Sequence, residues 1–470
     1  MIHWLHEQVW GPVLLTALLA AGACFTLRSR CFQLRGLPVW WKATAGSLQK
    51  REGEEGAAGP HSVTRLQSAC TALAATIGTG NIAGVATALA AGGPGAIFWM
   101  WVSAFFGMAA AYAETSLALG CRYRSRQGRW ICGPVVYLSR QLGMPALGIL
   151  YGGLCLLASL GMGSMVQANA IAQTLRHSAG IPPAAAALTV SALVFATVSG
   201  GAARIGKAAE RLIPVSAGLY MAFSLTVLVL CRREILPALG EIFVYAWKPE
   251  AAAGGAGGYG LALAFRYGLA RGVFSNEAGL GTLAGLHGAA QRTTPEEQGM
   301  WAMFEVFFDT VVLCTLTALV ILCAAGGARG LAASPWDGAV LASECFRQVL
   351  GAPGAGLMSA AMVLFAFATM IAWHFLGRQT LEAVWEQLPL PARRRIRLRR
   401  RTGTLYLWLF AAAVFAGSLG SLQEVWELSD VFNGLMAFPN LFALFLLRGQ
   451  VVFPETRGSG QTKNRNMRRS

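Results

Sequence analysis

Two short polar stretches interrupt long apolar runs in this chain. The first is Gly78-Thr79-Gly80-Asn81, inside the run from about residue 67 to 90. The second is Phe274-Ser275-Asn276-Glu277-Ala278-Gly279, inside the run from about 261 to 289. Unwinding a helix inside a membrane frees N–H and C=O groups that hydrocarbon cannot satisfy, so they must line a cavity enclosed by protein. The half-helix that starts after Gly80 offers free amides and a positive dipole end to an anion such as a carboxylate. The half-helix that ends before it offers carbonyls to a cation. One break can therefore hold a carboxylate and a sodium ion together. A pair of broken helices, one in each half of a polytopic chain, points to a solute-binding site. Gly84 and the Gly92-Gly93 pair read instead as small residues that let helices approach closely.

The elements that position these breaks follow from composition. Hydrophobic residues make up 55% of the 470 residues and charged residues 13%, where a soluble protein carries about a quarter charged. The expected class is an all-α multi-pass membrane protein. Apolar stretches long enough to cross a bilayer predict about eleven spans, near 9–27, 67–90, 96–119, 147–172, 184–199, 212–231, 261–289, 300–325, 355–377, 403–420 and 431–447.

Loop charge orients them. Arg28, Arg30, Arg35, Lys42, Lys50, Arg51 and Arg65 follow the first span, and no Lys or Arg precedes it. With that segment cytoplasmic, the inside loops hold roughly 30 of the 38 basic residues and the outside loops about six, a strong positive-inside bias. The N-terminus is then outside and the C-terminal tail, with Arg468 and Arg469, is cytoplasmic. The densest basic run, from Arg393 to Arg401, reads as a loop held near anionic lipid rather than a nucleic-acid surface, despite the net charge of +16. The stretch from Leu18 to Cys24 loosely imitates a signal cleavage site. His3, His6 and Glu7 in front of it, in place of basic residues, predict a transmembrane helix instead. The ten cysteines form no CxxC pair or Cys/His ladder, which supports neither a disulfide framework nor a metal site.

Set the first helix aside and ten spans remain, five and five. Each set opens with a span that breaks, and the two opening spans run in opposite directions. That predicts an inverted-topology repeat whose halves can rock past each other around one site. The expected organisation is residues 1–66 as a peripheral helix with a basic cytoplasmic loop and 67–231 as the first repeat. Residues 232–260 follow as an extracellular loop, 261–447 as the second repeat and 448–470 as a basic cytoplasmic tail.

Specific stretches resemble the alanine or glycine:cation symporter family. Thr71–Ala88 (TALAATIGTGNIAGVATA) looks like that family's first core helix almost throughout, and Gly92–Trp101 (GGPGAIFWMW) is similar to its next block. Val166–Asn169, Arg271–Gly281, Asp309-Thr310 with Cys314-Thr315, and Phe432–Leu441 extend the likeness from Trp10 to about Val452. The resemblance implies a leucine-transporter type of fold and sodium-coupled uptake of a small neutral amino acid, usually alanine or glycine. By position, Thr79, Gly80 and Asn81 would take the substrate carboxylate, and Gln167 would bond the substrate's polar groups from across the pocket. Gln167 and Asn169 also fit a role as interhelical glue. Phe274, Ser275 and Trp373 would wall the pocket, and a close wall favours small side chains. Sodium, the co-transported ion rather than a resident cofactor, would sit between carbonyls from Thr76 through Gly78 to Thr79 and the hydroxyl of Thr369. The implied unit is a monomer in the cell membrane.

The chain departs from the family pattern at three places. Ala368 stands where a second hydroxyl is typical, Thr282-Leu283-Ala284 where a Ser-Ala-Pro run is usual, and Ala110 where a Lys is common. Loss of the Ala368 hydroxyl leaves a proton-coupled transporter, or a non-transporting sensor of the same fold, as alternatives. Ionisable residues at membrane depth are costly and need partners. Arg271 with Glu277 is expected as an ion pair, Asp309 with Thr310 as a polar network, and His287 and His374 as packing or helix-end residues. An intramembrane enzyme would need a nucleophile with a base or a spacing such as HExxH, and neither occurs. A channel filter contributed by several subunits fits two unlike halves poorly.

Overall fold

The computed structural model describes residues 2–50, 65–125, 128–248, 260–291 and 293–454. Residues 51–64 of the basic loop, 249–259 of the expected extracellular loop and the tail from 455 onward, with Arg468 and Arg469, lie outside the described residues. The protein is built almost wholly of helices. A short helix at Ile2–Val9 leads into α1, Pro12–Arg28, with Pro12 at the first helical position, where a missing N–H costs nothing. Helix α2, Arg65–Thr76, stops at the first break. A tight turn at Thr79–Asn81 follows, and α3 resumes at Ala83–Gly92. Then come α4, Gly95–Cys121, α5, Pro145–Ala179, α6, Pro183–Val198, and α7, Gly201–Leu230. The second break separates α8, Leu261–Asn276, from α9, Thr282–His287. After it lie α10, Pro295–Ala325, α11, Gly338–Leu350, α12, Ala352–Gln387, α13, Ala392–Leu419, and α14, Leu422–Leu447. A two-stranded hairpin of β1, Tyr123–Arg124, and β2, Trp130–Ile131, follows α4.

Eight helices among the described residues are long and apolar enough to cross a membrane, and the bent pair at the first break, kinked by 48°, makes a ninth. The expected count of eleven is not reached on length and composition. Helix α6 has 16 residues. The second break divides its span into pieces of 16 and 6 residues, too short for a continuous crossing of about 20. The expected 232–260 loop also contains a helix, Ile235–Tyr245.

The second break is set by backbone chemistry. Glu277 takes the left-handed conformation at φ 58°, and Gly279 and Gly281 follow at 85° and 84°, a region that glycine enters without penalty. Two of the long helices also carry a wide π-helical turn, Gly161–Val166 in α5 and Phe307–Cys314 in α10. Such turns release backbone carbonyls from the regular ladder and often mark functional sites.

Helix α4 is the floor on which α8 and α10 lie, and small residues permit the approach. A Cβ on Gly268 would stand 2.7 Å from Trp99 Cβ, and one on Gly299 would stand 2.7 Å from the Tyr112 ring. Helix α1 packs on the outer side of α4 through Gly22, where a Cβ would meet Phe106 at 2.6 Å. Replacing Gly268 by Val should therefore destabilise the bundle by about 1–3 kcal/mol, the usual cost of overpacking. A thermal melt of the detergent-purified variant checks this, and an unchanged midpoint would mean that α8 does not sit against α4.

Candidate functional site

The two breaks meet face to face. A Cβ on Gly80 would lie 3.0 Å from the Cα of Ser275, so only glycine lets the first broken helix touch the second. The side chain of Asn81 reaches back and accepts a hydrogen bond from the Gly78 N–H at 2.9 Å, which closes the turn. Its amide donates to Asp309 Oδ1 at 2.7 Å and to the Asp309 carbonyl at 3.1 Å. The Asn81 carbonyl accepts from Thr317 Oγ1 at 2.7 Å. Gln167 Oε1 accepts from the Thr79 N–H at 3.3 Å, while its Nε2 donates to the Met162 carbonyl at 3.1 Å.

The second break is tied to the same carboxylate. Ser275 Oγ donates to Asp309 Oδ2 at 2.8 Å, and Thr310 Oγ1 donates to that oxygen at 2.9 Å while accepting from Asn276 Nδ2 at 3.0 Å. Asp309 is fully buried. Trp373 packs over Gly163, where a Cβ would come within 2.5 Å of its own, and donates through Nε1 to Glu277 Oε1 at 2.9 Å. Thr369 Oγ1 donates to the Ile77 carbonyl at 3.3 Å and sits 2.5 Å from where a Cβ on Gly78 would fall. The Thr79 hydroxyl is buried with no partner among the described side chains and backbone. The Thr76 hydroxyl is turned into its own helix, onto the Ala72 and Leu73 carbonyls.

Against this geometry stands a match to known proteins. The family model described as the sodium:alanine symporter family covers residues 1–467. The chain belongs to that family. It is 36% identical over 474 residues to the sodium/alanine symporter AgcS of Methanococcus maripaludis, across 98% of this chain and 97% of that protein. It is 38% identical over 452 residues to an uncharacterised transporter of Haemophilus influenzae, across 96% and 93%. A probable sodium/glutamine symporter of Bacillus subtilis, GlnT, is 32% identical, across 95% and 88%. As a member of the sodium:alanine symporter family the protein is a membrane transporter, not an enzyme.

In this symporter-family fold, Thr79, Gly80, Asn81, Gln167, Ser275 and Thr369 meet at the crossing of the breaks, and Trp373 joins it through Glu277. Phe274 stacks on Trp426 with ring centroids 5.0 Å apart. Asn169 is spent on helix contact, donating to the Gly417 and Gly420 carbonyls at 2.9 and 2.8 Å. One expected pair is corrected. Arg271 does not reach Glu277 but pairs with Asp430 at 3.0 Å, with its guanidinium 4.9 Å from the Trp426 ring. Glu277 faces the opposite way because its left-handed backbone turns the side chain toward α12 and Trp373. Asp430 also accepts from the N-terminal segment: Trp10 Nε1 donates to its carbonyl at 2.8 Å, and His6 Nε2 lies 3.2 Å from Oδ2.

Other partners escaped the sequence reading. Glu114 Oε2 accepts from the Gly281 N–H at 3.1 Å and from Asn440 Nδ2 at 3.0 Å, and Asn440 also donates to the Gly279 carbonyl at 2.8 Å. His287 is not simple packing; it bridges Gln298 at 2.7 Å and Glu305 at 3.0 Å. Thr317, three residues after Cys314, shares its helix face, and that spacing was the available signal for it. Asn81→Ala removes the bridge between Gly78 and Asp309 and should abolish substrate uptake while the protein still inserts and purifies. Uptake at the wild-type rate in that variant would refute the placement of the site.

Proposed function

We propose that this chain is a sodium-coupled symporter that takes up a small neutral amino acid, alanine or glycine, by alternating access. The observation that carries the reading is the first break itself. There the Thr79 hydroxyl is fully buried with no partner among the described residues, and Thr369 touches the Ile77 carbonyl of the same break. The amides of the turn at Gly80 and Asn81, which leads into α3, are the groups for the substrate carboxylate. Gln167 reaches the same break, where its Oε1 accepts from the Thr79 N–H. Phe274, Ser275 and Trp373 close around it. The tight approach of Gly80 to Ser275 supports a substrate with little side chain.

Sodium is a hard ion that takes several oxygens. The oxygens offered here are the carbonyls of Thr76, Gly78 and Thr79 and the Thr369 hydroxyl. Cargo and ion share one broken helix, so each stabilises the arrangement the other needs, and coupling follows. The names of the methanogen and Bacillus relatives support the same cargo class. The positive-inside bias supports an outside N-terminus and a cytoplasmic tail, with lipid as the surrounding partner and a single chain as the working unit.

Proton coupling is the second reading, favoured by two observations. Ala368 is buried without a hydroxyl, and the Asp309 carboxylate contacts both breaks. Uptake of radiolabelled alanine and glycine into proteoliposomes, under a sodium gradient or a proton gradient alone, separates the two. Sodium-driven accumulation is expected. Accumulation driven only by protons would transfer coupling to Asp309, and binding without uptake would identify a sensor. Ala368→Ser should lower the sodium concentration for half-maximal uptake, roughly in line with one added oxygen contact, about 1 kcal/mol or several-fold. An unchanged half-saturation would place residue 368 away from the ion.

A further inference from the structure

A cavity of about 620 Å³ opens between the β hairpin, the start of α7 and the second half of α12. It belongs to none of the contacts described above. Its lining joins Arg124, Arg129, Trp130, His374, Arg378 and Glu382 to the first residues of α7. Arg129 pairs with Glu382 at 2.5 Å, so that charge is already answered. Arg378 makes no hydrogen bond or ion pair among the described residues. Its guanidinium passes over Gly403 on α13, where any Cβ would collide with Nη1. Three guanidinium groups and one carboxylate among these residues leave the space positive.

Two further features point to an anion. Helix α7 has 30 residues, begins at Gly201 and receives no side-chain cap, and Gly200, Gly201, Ala202 and Ala203 all line the cavity. The first amides of a helix lack intrahelical partners, and its dipole favours negative charge there. His374 is 3% exposed, and among the described residues neither of its ring nitrogens nor the buried Trp130 Nε1 has a hydrogen-bond partner. Buried polar groups are normally satisfied, so unfilled donors gathered around one cavity call for an acceptor.

The position gives that acceptor an identity. Thr369 and Trp373 belong to the crossing of the breaks. Arg378 lies nine residues beyond Thr369 on the same helix, roughly 13–14 Å at 1.5 Å per residue, toward the end of α12 that precedes the Arg393–Arg401 run. We propose that this cavity is a second recognition site for small carboxylates, a station that the amino-acid cargo occupies between the broken helices and water on the arginine-rich side. The identity of the cargo rests on the symport reading above; the carboxylate chemistry rests on the cavity alone.

The test uses the purified full-length protein in lipid nanodiscs and follows its thermal unfolding midpoint. Propionate carries the carboxylate without the amine, alaninamide the amine without the carboxylate, and inorganic phosphate is the competing anion. Saturating propionate should raise the midpoint by about 2 °C or more, and alaninamide should not. Arg378→Gln should weaken the propionate response about tenfold or more, the loss expected for a charge-assisted bond. Ala202→Glu, which places the protein's own carboxylate at the start of α7, should also suppress it and decides the matter if Arg378→Gln does not fold. No propionate shift, a shift equal in wild type and both variants, or a shift from phosphate alone would overturn the proposal. A propionate response in protein that takes up no alanine would sink the symport reading and keep the carboxylate site. Alanine uptake without that response would do the reverse.

Discussion

The Asp309 carboxylate is the point on which the membrane-buried part of this protein turns. It accepts from Asn81 at the first break and from Ser275 at the second, so one side chain on α10 answers both places where the helical ladder is interrupted. Hydrocarbon offers no substitute for those bonds. The wide turn at Phe307–Cys314 adds to this, because the Asp309 carbonyl is also free to accept from Asn81. The wide turn in α5 does the equivalent for Gln167, whose amide rests on the released Met162 carbonyl and so points its oxygen at Thr79. Irregular helices thus contribute to holding both breaks.

The remaining buried ionisable groups follow one rule. His374 apart, they are met by a neighbour from another element, as the cost of charge at membrane depth requires. Glu114 on α4 caps the second break through Gly281 and Asn440; His287 is held between Gln298 and Glu305; Arg271 rests on Asp430. Polar networks of this kind specify one packing when every member is partnered. Among the described residues, the buried polar atoms without a partner include the Thr79 hydroxyl at the first break and Trp130 Nε1 and both His374 ring nitrogens near Arg378, the two places where a solute is proposed.

Much of this was legible before the structure. Polar residues in mid-span announced both breaks, because Asn81 and Glu277 have no business in a lipid-facing helix. Apolar length and low charge announced the class. Pairings could not be read. Arg271 and Asp430 are 159 residues apart, and nothing local distinguishes that partner from Glu277, six positions along the chain. The turn of Glu277 away from Arg271 is decided by a left-handed φ, which a sequence does not display. The span count differs for a related reason, since hydropathy adds apolar residues across a break that divides the second broken span into two short helices. The wide turns in α5 and α10 left no signal at all, being set by tertiary contact.

The short helix at Ile2–Val9 carries a practical lesson. His3 lies 2.9 Å from Glu427, and His6 and Trp10 both hold Asp430, the residue that clasps Arg271 on the second broken helix. The N-terminal segment is therefore linked to the second broken helix through a chain of side-chain contacts. A purification tag or fluorescent fusion attached there would load that linkage, and a histidine tag would add competing imidazoles beside two carboxylates.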